Sequence, residues 1–204
     1  MGVTRERFEQ GVTYQQFKDA MKTNREQLEA NETSLNLSDE DLKPFRDLAK
    51  PVNVVAIAAD WCADVVANLP ILGRLANESG KLNVRIFERD ENLDIMNQYL
   101  KEGQFQSIPT FVFFDQDMNE LGIWIERPDS VSAERERRRR AIYAEHPEFG
   151  SVDAGYGSAN NLPEEARNLV RKLTADMREE TKDWANHEVI REINEIAQRA
   201  KVSA

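Results

Sequence analysis

The sequence predicts an α/β protein in which a mixed β-sheet is flanked by helices, with extra helices at both ends of the chain. Three segments are predicted to be strands, the first of them a dense apolar stretch with β-branched residues, and a polar turn after the third leads into a fourth strand. The segments between and around them have apolar residues at helical spacing. An order of β-α-β followed by α-β-β predicts both parallel and antiparallel strand pairs.

The composition is that of a globular protein with a heavily charged surface. Of the 204 residues, 40% are hydrophobic and 31% are charged, and the formal net charge is −10. This excess of acid argues against nucleic acid and anionic membranes as partners, because both require a basic face. The N-terminal segment lacks the apolar centre of a secretory signal, and no apolar run is long enough to span a membrane. With one cysteine, and therefore no intrachain disulfide, we expect a cytoplasmic location.

Two helices are predicted before the first strand. Apolar residues recur at helical spacing from Thr13 to Ala30, which predicts one amphipathic helix. Ser38 is followed by three acidic residues, a pattern typical of an N-cap and an acidic first turn. A second, shorter helix is therefore expected to run from there to Leu48.

The central part of the chain contains the predicted sheet. Val52–Ala59 lacks alternation, which indicates a strand buried on both faces. A helix is expected from Cys62 to about Asn77, bent at Pro70. The next elements are a strand at Leu82–Phe87, a helix at Asp90–Leu100, a strand at Pro109–Phe114 and a hairpin strand at Leu121–Ile125. The expected buried face of that second helix consists of Leu93, Met96, Tyr99 and Leu100.

A charged helix is predicted at Pro128–Glu145. It contains Arg135 and the run Arg137–Arg140, and the glutamates around them favour a solvated helical face. An anion-binding site is the alternative interpretation of this cluster.

The last part of the chain is predicted to be a loop followed by a long helical region. Pro147–Leu162 is rich in Gly, Ser, Asn and Asp, as expected for a loop. Helical spacing then extends from Pro163 to Arg199, with a break expected near Asn186. The apolar stripe of this region consists of Leu169, Leu173, Met177, Trp184, Ile193 and Ile196.

Two short segments resemble a known family. In Asp60-Trp61-Cys62-Ala63-Asp64 a buried strand ends in Trp-Cys, a helix follows, and Pro70 lies eight residues after the cysteine. Further on, Ser107-Ile108-Pro109-Thr110 opens the next buried strand. This pattern resembles the thioredoxin superfamily. It is most similar to bacterial thioredoxin-like proteins with a WC-x-D motif, an R-D-E-N segment (Arg89–Asn92 here) and an R-P pair after the hairpin (Arg127-Pro128 here).

The resemblance implies a domain organisation. It covers residues 38–145, which we expect to form the thioredoxin-like domain. Residues 1–37 are then an N-terminal helical extension. Residues 146–204 are expected to form a loop and a C-terminal helical extension that packs on the domain.

The resemblance also implies a role for each residue around Cys62. The thiol would lie at a helix N-terminus, where free backbone N–H groups and the helix dipole favour a thiolate. The Ile108–Pro109 bond is expected to be cis, and this bend, together with Trp61, would bind an extended substrate peptide. Asp60 and Asp64 are candidate modulators of the thiol's ionisation, because nearby carboxylates oppose a thiolate. The structural alternatives are a packed cap for Trp61 and a helix-dipole partner for Asp64.

The sequence departs from the family pattern at Val65. A thioredoxin has the second cysteine of C-x-x-C at this position, where it resolves the mixed disulfide. The leading hypothesis is therefore single-cysteine thiol–disulfide exchange at Cys62, completed by an external thiol, without a self-sufficient dithiol reductase cycle. The expected partners are proteins or low-molecular-weight thiols and disulfides. No cofactor or metal is expected, because no phosphate loop or metal-ligand spacing is present.

Two other functional classes remain open at this stage. The first is a non-catalytic module that binds a protein or peptide on the same surface, with Cys62 retained but without a redox role. The second is an interaction protein that works through its C-terminal helices.

Overall fold

The computed structural model describes residues 2–154 and 161–201. The helices in these ranges are α1 (Arg5–Glu9), α2 (Tyr14–Ala20), α3 (Arg25–Ser34), α4 (Asp39–Arg46), α5 (Ala63–Ser79), α6 (Leu93–Met96), α7 (Asp129–Glu145), α8 (Glu164–Glu180) and α9 (Lys182–Ala197). The strands are β1 (Val52–Ala58), β2 (Leu82–Glu88), β3 (Thr110–Phe114) and β4 (Glu120–Ile125). Short 3₁₀ helices lie at Pro147–Phe149, Val152–Ala154 and Gln198–Lys201.

The four strands form one sheet in the order β2-β1-β3-β4. β1 and β2 run parallel, with Val52 opposite Leu82. β3 is antiparallel to β1, and β4 is antiparallel to β3 with a register irregularity at Phe113 and Phe114. The predicted mixed sheet is therefore confirmed, as are the helices that flank it and the added helices at both ends.

The two central strands explain the unbroken apolar runs in the sequence. Every residue of β1 and β3 is buried, so neither strand needs the alternation of a half-exposed strand. β3 contributes three of the largest fully buried side chains, Phe111, Phe113 and Phe114. Phe45 of α4 belongs to the same core, so the helices and the sheet share one apolar interior.

Helix α5 follows β1 and forms much of the core. It begins after Cys62 and ends at Gly80, whose φ of 64° is the left-handed conformation typical of a helix C-cap. Pro70 lies inside this helix and is buried, at the position predicted. Gly73 makes room for Tyr14, since a Cβ at Gly73 would lie 2.7 Å from a carbon of the tyrosine ring.

The structure corrects the predicted N-terminal helix. In place of one helix from Thr13 to Ala30, the chain forms α2 and α3, and α1 precedes them without a clear periodic signal. The break has a physical cause: the backbone amides of Lys22 and Thr23 donate hydrogen bonds to the Asp60 carboxylate. These amides therefore do not donate to the backbone carbonyls that would accept them in a continuous helix. The predicted cap at Ser38 is confirmed, with a reciprocal capping box at the start of α4.

The predicted helix at Asp90–Leu100 is much shorter in the structure. Only α6 is α-helical in this stretch, and it begins after Asn92. Leu93 is exposed rather than buried, and Ile95 takes the buried position instead. The backbone then turns twice through left-handed conformations, at Glu102 and Gly103, before β3 begins.

The C-terminal helices form with one shifted boundary. α8 and α9 separate at Thr181 rather than near Asn186. The hydroxyl of Thr181 donates to the carbonyl of Met177 at 3.0 Å. This hydrogen bond gives a backbone carbonyl in the last turn of α8 a partner. Leu169 and Trp184 of the predicted apolar stripe are exposed. Within the predicted loop at 147–162, the chain forms two 3₁₀ helices, and residues 155–160 lie outside the described residues.

Contacts between Cα atoms divide the chain into two compact units. The first comprises Met1–Arg127 with Val189–Ala204, and the second is Pro128–Glu188. In the first unit, Phe8 and Phe17 from the N-terminal helices and Ile193 from α9 all join the core that contains the sheet. Side chains from before residue 38 and from after residue 146 thus contribute to that core.

The second unit has a smaller apolar core of its own, formed around Tyr143, Phe149 and Val170. On α7, Arg137 and Arg138 both pair with Glu134 at 2.7 Å. Arg139 and Arg140 pair with Glu136 at 3.4 and 2.8 Å. These ion pairs are what a solvated charged helical face requires.

Among the described residues, no helix combines the length and the apolar character needed to cross a bilayer.

Candidate functional site

Cys62 occupies the turn between β1 and α5. Its backbone N–H donates to the carbonyl of Ala59 at 3.2 Å, and its own carbonyl accepts from Val66 at 3.0 Å. Cys62 is therefore the N-cap residue of α5, as the resemblance implied, and its side chain makes no capping hydrogen bond. The sulfur is partly buried at the positive end of a helix of 17 residues.

The Cys62 sulfur lies against the bend that precedes β3. Its Sγ is 3.5 Å from the carbonyl oxygen of Ile108, within hydrogen-bonding distance for a thiol donor. The Ile108–Pro109 peptide bond is cis. The backbone N–H of Glu126 donates to the carbonyl of Pro109 at 2.7 Å, and this contact fixes the bend to the end of β4. The fold thus brings together the two sequence segments that carried the resemblance.

The candidate substrate-binding residues differ in accessibility. The side chains of Ile108 and Pro109 are buried, so a partner at this bend would meet backbone rather than side chains. Trp61 is 50% exposed, and the guanidinium of Arg89 lies over its ring at 4.6 Å from the centroid. The indole next to the thiol therefore presents much of its surface to solvent, with a cation on one face.

Asp60 is held by the N-terminal segment. Its carboxylate accepts hydrogen bonds from the amides of Lys22 at 2.7 Å and Thr23 at 3.0 Å. Partial burial raises the pKa of Asp60, but these two donors outweigh burial, and the pKa lies below its ordinary value. Asn24 adds a 2.9 Å hydrogen bond to the carbonyl of Asp60. The backbone just before Cys62 is fixed in this way by residues outside the region of resemblance.

Asp64, in the first turn of α5, belongs to a chain of alternating charges. Arg127 pairs with Asp64 and, at 2.6 Å, with Glu126. Lys101 pairs with the other oxygen of Glu126 at 2.7 Å. Burial raises the pKa of Glu126, but Lys101 and Arg127 outweigh it and lower the pKa below its ordinary value. The negative charge of Asp64 is therefore balanced by a neighbouring guanidinium.

The sequence marked Arg89 and Arg127 only as parts of motifs and did not assign either a role. Lys101 and Glu126 were not singled out at all. Long polar side chains reach partners far along the chain, 63 residues away for Arg127 and Asp64. No local spacing in the sequence indicates such pairs. The sequence therefore pointed to Arg89 and Arg127 only through the R-D-E-N and R-P segments that contain them.

Val65, where the family resemblance places a second cysteine, is fully buried. Its side chain belongs to the main core, against which Cys62 also packs. In the part of the chain that the structure describes, no group of three or more His, Cys, Asp or Glu side chains is arranged to hold a metal ion. The site contains one thiol, because Cys62 is the single cysteine of the sequence.

A family model described as Thioredoxin matches residues 11–138. This match covers more than half of the chain, and the protein therefore belongs to the thioredoxin family. A search of curated proteins finds no match.

Two solved structures with TM-scores above 0.5 share the fold at low sequence identity. A Pseudomonas aeruginosa protein of unknown function aligns with a TM-score of 0.62 and 14% identity, covering 98% of this chain and 99% of its own. An HIV epitope-scaffold aligns with a TM-score of 0.62 and 16% identity, covering 96% and 98%. Both alignments extend over the terminal helices as well as the sheet. Thioredoxin of Fasciola hepatica aligns with 21% identity and a TM-score of 0.33, over 51% of this chain and 88% of its own.

Proposed function

We propose that this protein carries out thiol–disulfide exchange with Cys62 as a single nucleophilic thiol and an external thiol as the resolving group. The observation that carries the proposal is the position of the sulfur, at the N-cap of α5 and 3.5 Å from the Ile108 carbonyl. A helix N-terminus favours the thiolate, which is the attacking species in exchange. The adjacent bend leaves backbone on which an extended substrate can align.

The exchange has two balanced steps. In the first, the Cys62 thiolate attacks one sulfur of a substrate disulfide, so that a Cys62–substrate disulfide forms and the other substrate sulfur leaves as a thiolate. In the second, the thiolate of a low-molecular-weight thiol attacks the substrate sulfur of this mixed disulfide. Cys62 then leaves as a thiolate, and the substrate is released as a mixed disulfide with the small thiol.

Val65 defines the limits of this activity. Because a buried valine occupies the resolving position, the mixed disulfide at Cys62 has no second thiol within the chain to attack it. The intermediate should therefore be long-lived when the external thiol is scarce. We place the reaction in the cytoplasm of a bacterial cell, where low-molecular-weight thiols are abundant and a chain with one cysteine is typical.

Trapping tests the proposal directly. The protein is purified from cells without reductant, and the adducts are separated under non-reducing conditions and identified by mass spectrometry. We expect wild-type protein to have disulfide-linked partners or a small-thiol adduct at Cys62, and Cys62→Ser to have none. Trp61→Ala, which keeps the thiol, should trap fewer protein partners but still form the small-thiol adduct.

The competing hypothesis is a binding module that uses the same surface without the chemistry. An empty trap together with a partner complex that survives Cys62→Ser would establish that alternative and refute exchange at Cys62.

A further inference from the structure

A groove of about 680 Å³ opens beside Trp61. One wall is formed by the N-terminal segment from Gln10 to Lys22, which includes α2. The other wall is formed by the carboxyl end of β2 and the loop that follows it, up to Asn92. Asp60 and Trp61, the two residues before the thiol, also line the groove. It thus extends from the residues beside Cys62 along the N-terminal extension.

Close contacts between the N-terminal segment and β2 hold the groove in place within the first unit. Gly11 allows the N-terminal segment to approach β2 closely, because a Cβ at this position would lie 2.7 Å from side-chain atoms of both Arg85 and Phe87. Immediately afterwards, Val12 and Ile86 exchange two backbone hydrogen bonds of 3.0 and 2.8 Å. One wall of the groove is thereby fixed to the edge of the sheet.

The lining of the groove combines apolar and acidic side chains. Among the apolar ones, Phe17 and Phe87 are buried, while Val12 is 41% exposed. Four carboxylates line the groove, together with a single lysine, Lys22; these carboxylates belong to Asp60, Glu88, Asp90 and Glu91. The charge of the groove is therefore complementary to a cationic ligand that also carries an apolar side chain.

The carboxylates are not all equally free to meet a ligand. Asp60 accepts two backbone amides, and Asp90 pairs with Arg89 at 2.6 Å. Glu88 accepts the amides of Asp90 and Glu91 and helps to shape the loop. Glu91 is exposed and makes no ion pair with another described residue, so its charge is the one best placed for a partner.

We propose that this groove binds the part of a protein substrate adjacent to its reacting cysteine, and that it selects extended segments containing lysine or arginine and an apolar side chain. The inference rests on the proposed exchange at Cys62. Val12 already pairs with Ile86 at this edge of the sheet, so the segment is held by side-chain contacts rather than by adding a strand. A thiol alone does not discriminate among substrate proteins. Selection for cationic segments would supply that specificity.

Two synthetic peptides test the selection. Each has one cysteine, an identical apolar flank and a chromogenic aromatic thiol attached by a disulfide; one flank carries two lysines and the other two glutamates. The Cys62 thiolate attacks the peptide sulfur, a Cys62–peptide disulfide forms, and the aromatic thiolate leaves and is measured by absorbance. We expect the lysine peptide to react faster, with a preference that declines as salt is added.

The variants Glu91→Gln and Glu91→Lys test whether the preference for the lysine peptide arises from the groove. Removing one exposed charge contact of this kind should change the ratio of the two peptide rates by about threefold. Glu91→Lys should therefore lower the preference for the lysine peptide by at least that factor. Glu40→Gln is the matched control, because Glu40 is an exposed glutamate in the first turn of α4 and does not line the groove. A neutral small aromatic disulfide should react at equal rates with all four proteins.

The outcomes separate the groove from the exchange. Equal rates for both peptides, or a preference that Glu91→Lys leaves unchanged, would overturn the groove assignment while leaving exchange at Cys62 intact. If Cys62 reacts with none of the disulfides, the proposed function fails. In that case, the groove is tested by fluorescence anisotropy of a labelled lysine peptide with the Cys62→Ser protein. Weaker peptide binding after Glu91→Lys would support the groove assignment. Unchanged binding would refute it.

Discussion

The indole Nε1 of Trp124 donates a 2.8 Å hydrogen bond to the carboxylate of Glu192, and so joins the edge strand β4 to α9. Trp124 is nearly fully buried and stacks on Phe111, with 5.0 Å between the ring centroids. The indole N–H therefore depends on Glu192 for its hydrogen bond. This contact fastens the last helix to the sheet within the first unit.

Removing the acceptor should destabilise the first unit. Glu192→Ala leaves a buried indole donor without its carboxylate, and we expect the free energy of unfolding to fall by about 1–3 kcal/mol. The measurement is urea denaturation followed by tryptophan fluorescence. Glu195→Ala, one turn further at an exposed pair with Arg191, should cost less than about 1 kcal/mol. Equal losses for the two variants would contradict the role given to Glu192.

The contact of Gly73 with Tyr14 predicts a large effect from one added methyl group. In Gly73→Ala the new Cβ would overlap the tyrosine ring, and overpacking of this kind costs about 1–3 kcal/mol even though alanine is the better helix former. Gly2→Ala is the control, since no atom lies within 4 Å of the Cβ it would add. Thermal denaturation by circular dichroism would measure both. A Gly73→Ala protein as stable as wild type would show that the ring moves at little cost.

Glu126 predicts a specific pH dependence. Its pKa is lowered in the folded protein, because Lys101 and Arg127 outweigh burial. A carboxylate of this kind stabilises the fold above its unfolded-state pKa, and the contribution is lost as the pH falls through the lower folded-state pKa. The difference in free energy of unfolding between wild type and Glu126→Gln should therefore be greatest near neutral pH and shrink below about pH 4.5.

Denaturant melts at several pH values test the Glu126 prediction. The control is Glu6→Gln, which removes an exposed carboxylate of α1. A difference between wild type and Glu126→Gln that stays constant down to acid pH would mean that the pair with Lys101 contributes nothing.

Adding a second cysteine at Val65 should change the proposed exchange reaction. In Val65→Cys the two thiols lie three residues apart at the start of α5, on the same side of the helix. We expect an intrachain disulfide on oxidation, seen as the loss of two titratable thiols, and a much shorter lifetime for any mixed disulfide at Cys62. The smaller side chain should cost about 1 kcal/mol of stability.

Val66→Cys provides the comparison for that experiment. Val66 is also buried in α5 but is offset by one position from the C-x-x-C spacing. It should keep both thiols free under the same oxidation. If Val65→Cys behaves in the same way, the path from Cys62 to the resolving position is closed in this protein.

Burial on both faces made much of the fold predictable. The apolar runs of β1 and β3 and the Ser38 cap are local signals, and the structure contains each element within a residue or two of its expected bounds. The residues of the candidate site could be proposed from the sequence for a similar reason, since Trp61, Cys62 and the Ile108–Pro109 bend lie in short contiguous motifs.

The features that the sequence did not reveal depend on distant partners. The helix break before Arg25 exists because amides of the N-terminal segment bind Asp60. The pair between Asp64 and Arg127 joins residues far apart in the chain. Neither contact has a periodicity, and the groove beside Trp61 arises only when the N-terminal segment meets the end of β2.

The pairing of Val12 with Ile86 also bears on the behaviour of the protein at high concentration. β2 is an edge strand, and an edge whose backbone groups are unpaired can recruit strands from other molecules. The N-terminal segment occupies that edge at its centre. A variant in which the segment detaches, for example through a bulky residue at Gly11, would expose it and should aggregate before it unfolds.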